Sequence, residues 1–177
     1  SKGKINFETI IKDKNGINRN VEIETILINY EGETTVMNII RNITERKLAE
    51  AQQKNSEQNY RTLFNTSTDS IFIHEGETGK ILDVNETTLI KFGYSSKEEI
   101  LGCTVKDLNA NIPPYTEENT KKYIQDTINN GDQIFEWMSR RKDGSVFWNE
   151  MMLKKIELNG KIRVLAIGRD ITDRKQV

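Results

Sequence analysis

One histidine, His74, stands in a chain of 177 residues, so any nucleophile-plus-base pair built on imidazole would have to pass through it. It is followed by Glu75, Gly76, Glu77 and Thr78. A His-Glu-x-x-His zinc site needs a second histidine where Thr78 stands, and the surroundings are not those of a phospho-accepting histidine. No glycine-rich phosphate loop occurs in the sequence. Catalysis and metal binding are therefore not expected, and His74 reads as a surface or structural residue. The one cysteine, Cys103, cannot form an internal disulfide and fits a reducing, cytoplasmic setting. Glu150 is an acid in an otherwise strand-like stretch. A carboxylate held on a sheet could orient a polar ligand; a solvent-facing strand position, or an ion-pair partner for Arg169, accounts for it equally.

The remaining composition narrows the setting. Lysine and arginine number 26 against 27 acidic residues, without the basic patch that neutralising phosphates requires, so no nucleic-acid partner is expected. Hydrophobic residues make up 35% and charged residues 30%, enough for a modest core under a wet surface. The longest apolar runs, such as Val164 to Ile167, are far shorter than a membrane span, and the N-terminus lacks the apolar stretch of a signal peptide. No direct membrane contact is expected.

The elements that position these residues are written twice. Residues 5–47 align with residues 133–175 at a constant offset of 128, and 14 of the 43 pairs are identical. Chance gives roughly two or three such matches, so one structural unit is repeated. Both copies close on nearly the same phrase, Arg41-Asn42-Ile43-Thr44-Glu45-Arg46-Lys47 and Arg169-Asp170-Ile171-Thr172-Asp173-Arg174-Lys175. Glycine turns cut the second copy into three strand-like runs, Ile134 to Arg140, Val146 to Glu157 and Arg163 to Asp170. The turns Asp143-Gly144 and Asn159-Gly160 are read as tight hairpins with positive φ at both central residues. Asn15-Gly16 and Glu31-Gly32 take their places in the first copy.

Before the second meander, Ser70 to His74 and Lys80 to Val84 form two short strands. Asn85 sits where it can cap a helix over Glu86 to Phe92. Ser96 opens a second helix, and Glu117 to Asn129 form a third with Tyr123, Ile124 and Ile128 on its apolar side. Between the copies, Thr44 to Phe64 has neither proline nor glycine and favours one helix. Its seam of Leu48, Ala51, Asn55, Gln58 or Asn59, and Leu63 fits either a solvated connector or a weak parallel coiled coil.

In this order and spacing the motifs resemble the Per-Arnt-Sim (PAS) sensory domains of bacterial and archaeal signalling proteins. The resemblance runs from Glu57 to Lys175. It is carried by Tyr60-Arg61-Thr62-Leu63-Phe64, Asp69-Ser70-Ile71, Asp83-Val84-Asn85, Gly93-Tyr94-Ser95, Glu98-Glu99-Ile100-Leu101-Gly102, Lys142-Asp143-Gly144 and the Asp170-Ile171-Thr172 ending. Residues 1–47 resemble the last three strands of a preceding PAS domain, with Asn42 in place of the family's aspartate. The resemblance implies an α+β fold: a five-stranded antiparallel sheet with helices on one face and a ligand cleft between them, preceded by a three-stranded partial meander and a connector helix. It also implies a sensory and dimerisation module within a larger protein, such as a histidine kinase, relaying through flanking helices to an output domain outside this chain. A ligandless protein-interaction spacer in a multi-PAS array is the other reading it leaves open.

The family's subclasses sharpen the cofactor expectation. Light-sensing flavin members place a cysteine three residues after a glycine like Gly102, where this chain has Val105, and a glutamine in the last strand, where it has Gly168. Heme-binding members carry a histidine on the helix corresponding to Glu117 to Asn129, where none occurs. A covalent flavin adduct and heme are thus disfavoured, and Cys103 is expected as a small buried residue. A small molecule, a loosely bound flavin, or a cleft filled only by its own side chains stays open. The cleft lining implied by the resemblance is Ile71, Ile73, Phe92, Val105, Ile124, Phe135, Trp148 and Met152, with Glu150 as the polar candidate, although ordinary core packing would also account for the apolar positions. A meander of about 47 residues is marginal alone, so residues 1–47 are expected to pack on a second copy of the chain in a homodimer, next to further PAS and output domains of the parent protein.

Overall fold

The computed structural model describes residues 4–176, with Ser1 to Gly3 and Val177 outside the described residues. The chain divides into two units at the Tyr60–Arg61 boundary.

In the first unit β1 (Lys4–Lys12), β2 (Asn18–Tyr30) and β3 (Glu33–Asn42) form an antiparallel meander in the order β1-β2-β3. Glu31 and Gly32 at the β2–β3 turn have φ of 53° and 85°, the left-handed pair that a two-residue hairpin needs to match strand twist. The β1–β2 turn departs from that expectation. Only Gly16 has positive φ, and the Asp13 carboxylate accepts from the amides of Asn15 and Ile17 at 2.9 and 3.0 Å, organising a longer loop. Every residue of β3 is exposed. Helix α1 (Thr44–Thr66) follows; its seam residues Leu48 and Leu63 face solvent, and Phe64 near its end is buried.

The second unit runs β4 (Ser70–Glu75), β5 (Ile81–Val84), α2 (Glu86–Phe92), α3 (Lys97–Leu101), α4 (Val105–Leu108), α5 (Glu117–Asn130), β6 (Gln133–Arg140), β7 (Val146–Leu158), β8 (Lys161–Asp170) and α6 (Thr172–Gln176). Its five strands pair antiparallel in the order β5-β4-β8-β7-β6. The strand opening the unit therefore lies beside the one closing it, and β6 to β8 repeat the meander of the first unit. Here too one turn is a two-residue hairpin, with φ of 52° and 71° at Asn159 and Gly160. The other is longer: only Gly144 has positive φ, and Asp143 accepts from the Ser145 amide at 2.9 Å.

Helices cover one face of this sheet. Phe72, Ile81, Val84, Phe92, Ile100, Leu108, Ile124, Phe147, Leu153, Val164 and Ala166 form its buried core, within which Phe92 meets Phe72 and Phe147 edge to face at 5.3 and 5.1 Å. Asn85 explains why α2 starts where it does. Fully buried, it accepts at Oδ1 from the amides of Thr88 and Ile71 at 3.0 and 2.9 Å. Its Nδ2 donates to the carbonyls of Phe64 and Asp69 at 3.1 and 3.0 Å. One side chain thus caps α2 and ties it to the end of α1 and the start of β4. Thr116 caps α5 by accepting from the Asn119 amide at 3.4 Å, and Tyr123 on α5 stacks on Phe135 of β6 at 3.8 Å.

Candidate functional site

Between the sheet and the helices lies a cavity of about 60 Å³, lined by Phe72 and His74 of β4, Phe92, Val105, Leu108, Asn109, Thr120 and Ile124 of the helical layer, and Phe135, Trp137, Ser139, Met151, Leu153 and Ala166 of β6 to β8. The strand pairing accounts for the membership: Phe72 lies opposite Ala166, Ala166 opposite Leu153, and Phe135 opposite Met151. Residues facing each other across a ladder point to the same side of the sheet.

Of the nine candidates expected at the cleft, Phe92, Val105, Ile124 and Phe135 line the cavity. Ile71, Ile73, Trp148, Glu150 and Met152 do not; each is adjacent in sequence to a residue that points inward, and so projects from the opposite face of the sheet. There Trp148 lies under the Lys175 ammonium at 5.1 Å, and Met152 is opposite the exposed Ile134. Phe72, His74, Leu108, Asn109, Thr120, Trp137, Ser139, Met151, Leu153 and Ala166 were not anticipated. For Trp137 and Ser139 the signal was available, since both keep the parity of Phe135 along β6.

Of the two expectations for His74, surface or structural, the structure shows the second. His74 is 6% exposed, and its Nδ1 lies 3.0 Å from the Gly79 carbonyl. A carbonyl can only accept, so Nδ1 carries the hydrogen and Nε2 is the bare acceptor. Burial pushes the histidine pKa down and keeps the ring neutral, against a smaller opposing effect of the Gly79 bond. The other polar groups are largely satisfied. Trp137 Nε1 donates to Asn109 Oδ1 at 2.9 Å, and Asn109 Nδ2 to Thr120 Oγ1 at 2.8 Å. Thr120 in turn donates to the Thr116 carbonyl at 3.1 Å. Asn149 Nδ2 donates to Ser139 Oγ at 2.9 Å, while Asn149 Oδ1 and Ser70 Oγ are buried without a partner among the described residues. Cys103 is half-buried rather than buried, with its thiol 3.4 Å from the Tyr94 hydroxyl, and it does not line the cavity.

A second feature stands where β8 passes into α6. The Thr172 hydroxyl accepts from the Trp148 amide at 3.1 Å, and the Asp170 carboxylate accepts from the Thr172 amide and hydroxyl at 2.9 and 2.6 Å. Arg174 reaches Glu136 and Glu150 at 3.1 and 3.3 Å, and Lys175 pairs with Glu136. The ion-pair partner of Glu150 is thus Arg174, not Arg169, whose guanidinium turns to Asp69 at 3.3 Å. In the first unit Thr44 accepts from the Asn20 amide at 2.9 Å and its own amide donates to Asn42 at 3.0 Å. Arg46 reaches Glu8 at 2.9 Å. The two exits are built from the same positions.

Among the described residues no cluster of histidine, cysteine, aspartate and glutamate could hold a metal ion, and no helix is long and apolar enough to cross a membrane.

Comparison with known proteins points one way. A PAS domain profile matches residues 68–173. Over 123 residues, 70% of the chain, the sequence is 32% identical to the methyl sulfide methyltransferase-associated sensor of Methanosarcina acetivorans. Over 99 residues, 53% of the chain, it is 30% identical to the oxygen sensor protein DosP of Escherichia coli. The matched regions span 12% of the length of each relative. Among solved structures, the PAS domain of an HTR-like protein from Haloarcula marismortui superposes with a TM-score of 0.59 at 27% identity, covering 71% of this chain and 99% of that one. The PAS domain of a Colwellia psychrerythraea protein does so with 0.56 at 31%, covering 66% and 98%. A five-stranded antiparallel sheet, helices on one face and a profile match across nearly all of the second unit leave one conclusion: the chain belongs to the PAS domain family of sensory modules.

Proposed function

We propose that the second unit is a small-molecule sensor whose cavity state is relayed through α6 to an output domain outside this chain, such as a histidine kinase or cyclase. The observation that carries this reading is the cavity on the helix-covered face of a sheet whose last strand leads directly into the bonded exit junction. Both named relatives being sensors agrees with it. Residues 1–47 are the closing half of a preceding PAS domain, since β1 to β3 repeat the meander and exit of β6 to β8 position by position. The face of that meander equivalent to the cavity wall carries the exposed Phe7, Ile11, Val36 and Ile40, which a second copy of the chain covers in a homodimer. The setting is cytoplasmic.

Denaturing freshly purified protein and analysing the released small molecules by gas chromatography and mass spectrometry tests the sensor reading. A stoichiometric molecule absent from a Leu108→Trp variant, whose cavity is filled, is the expected result. If nothing is released, and no compound in a panel of small molecules shifts the amide resonances of cavity residues, the chain is instead a ligandless spacer between neighbouring domains.

A further inference from the structure

The cavity's size and an acceptor nitrogen among its lining residues restrict what it can hold. A volume of about 60 Å³ is far below the roughly 300–1,000 Å³ that envelops drug-sized ligands and cofactors. The space therefore suits a small compound and not a bulky cofactor. No lysine, arginine, aspartate or glutamate lines it, so a buried ion would meet no countercharge. The walls are mostly aromatic and aliphatic, and the Asn109, Thr120 and Trp137 groups bond one another. His74 is different: Gly79 holds the Nδ1 hydrogen, and among the described residues Nε2 has no hydrogen-bond partner. Ser139, which accepts from Asn149, keeps its own hydroxyl hydrogen for an acceptor.

We propose that the cavity takes a small neutral molecule, apolar in body and bearing one hydroxyl-type donor, which it gives to Nε2 of His74. Short alcohols are the class that meets every condition. This rests on the cavity being the sensor's ligand site and adds which chemistry it selects. At the best binding efficiency known for very small ligands, a four-atom molecule reaches a Kd no tighter than about 40 µM. The site would therefore report abundant, rapidly exchanging compounds and not trap traces.

Because the chain has one imidazole, its two ring nitrogens give unambiguous NMR signals. The test is a titration of ¹⁵N-labelled protein with 1-propanol, acetone, propionate, propylammonium and 1-hexanol, following those signals and the amides of Phe135 and Leu153. The expected result is a saturable upfield shift of Nε2 with 1-propanol alone, and affinity weakened about tenfold in His74→Phe, which keeps the ring and loses the acceptor. If 1-propanol or any other probe moves the Phe135 and Leu153 amides while Nε2 stays fixed, the inference is overturned and cavity binding survives. Equal binding of acetone or a charged probe overturns the selectivity in the same way. No shift from any probe overturns both readings.

Discussion

At the scale of single residues, His74 links stability to pH. Its folded pKa is lowered by burial, so as pH falls the unfolded chain takes up a proton before the folded one does. Its contribution is complete above about pH 6.5 and is lost as pH drops toward the folded value, by up to about 1.4 kcal/mol per pH unit. Glu136, held below the usual carboxylate range first by its hydrogen bond with Lys175, and Asp107, held there first by the Thr104 amide, act only below about pH 4.5. Urea unfolding between pH 7.5 and 5 should therefore show a downward slope in the native chain and a nearly flat line in His74→Phe. Parallel slopes in the two proteins would remove His74 from this role. Strand parity is what the sequence did not settle. The run Ile71, Phe72, Ile73 is apolar on both sides of its strand, and β7 contains the adjacent bulky pairs Phe147-Trp148 and Met151-Met152. Without alternation nothing in the sequence says which parity faces inward, and a choice one residue out moved Ile71, Ile73, Trp148, Glu150 and Met152 together to the outer face. On the helices Phe92, Val105 and Ile124 were legible, whereas Leu108 and Thr120, one turn from Val105 and Ile124, were missed.

At the scale of elements, the junctions were readable because they depend on local chemistry. Asn85 and Ser96 were recognisable as caps, and the repeated Ile-Thr ending marked both strand-to-helix exits. What the sequence did not disclose was how far each group reaches. Asn85 also fastens the end of α1 and the start of β4, contacts 16 and 21 residues away that no local pattern encodes. Replacing Asn85 with Ala removes the bonds it gives to the Phe64 and Asp69 carbonyls, leaves the Ile71 amide with Thr88 Oγ1 alone at 3.0 Å, and removes the cap of α2. The expected loss is about 2–4 kcal/mol in equilibrium denaturation. A loss under about 1 kcal/mol would mean that α2 is held by its packing alone. The turns follow the same division. Asn159-Gly160 and Glu31-Gly32 form the expected two-residue hairpins, whereas Asp13 and Asp143 each bond to amides further along and open the loop.

For the whole molecule, the internal repeat announced the architecture before any element was assigned. The two meanders differ in one respect that matters: β8 has β4 as its outer neighbour, while β3 has none among the described residues. Exposed backbone groups along such an edge, with apolar side chains beside it, favour association. Sedimentation equilibrium should find the full chain more strongly dimeric than residues 56–177, and equal association would place the dimer contact in the second unit.

If the state of the cavity is felt at the exit junction, filling the cavity without a ligand must disturb that junction. Ala166 lines the wall at 1% exposure, and valine there adds two methyl groups to the void. Hydrogen exchange should then change at the Trp148 and Lys175 amides, which bond to Thr172 and Ile171, with global stability altered by no more than about 3 kcal/mol. Unchanged exchange at both amides in a folded Ala166→Val protein would contradict that coupling.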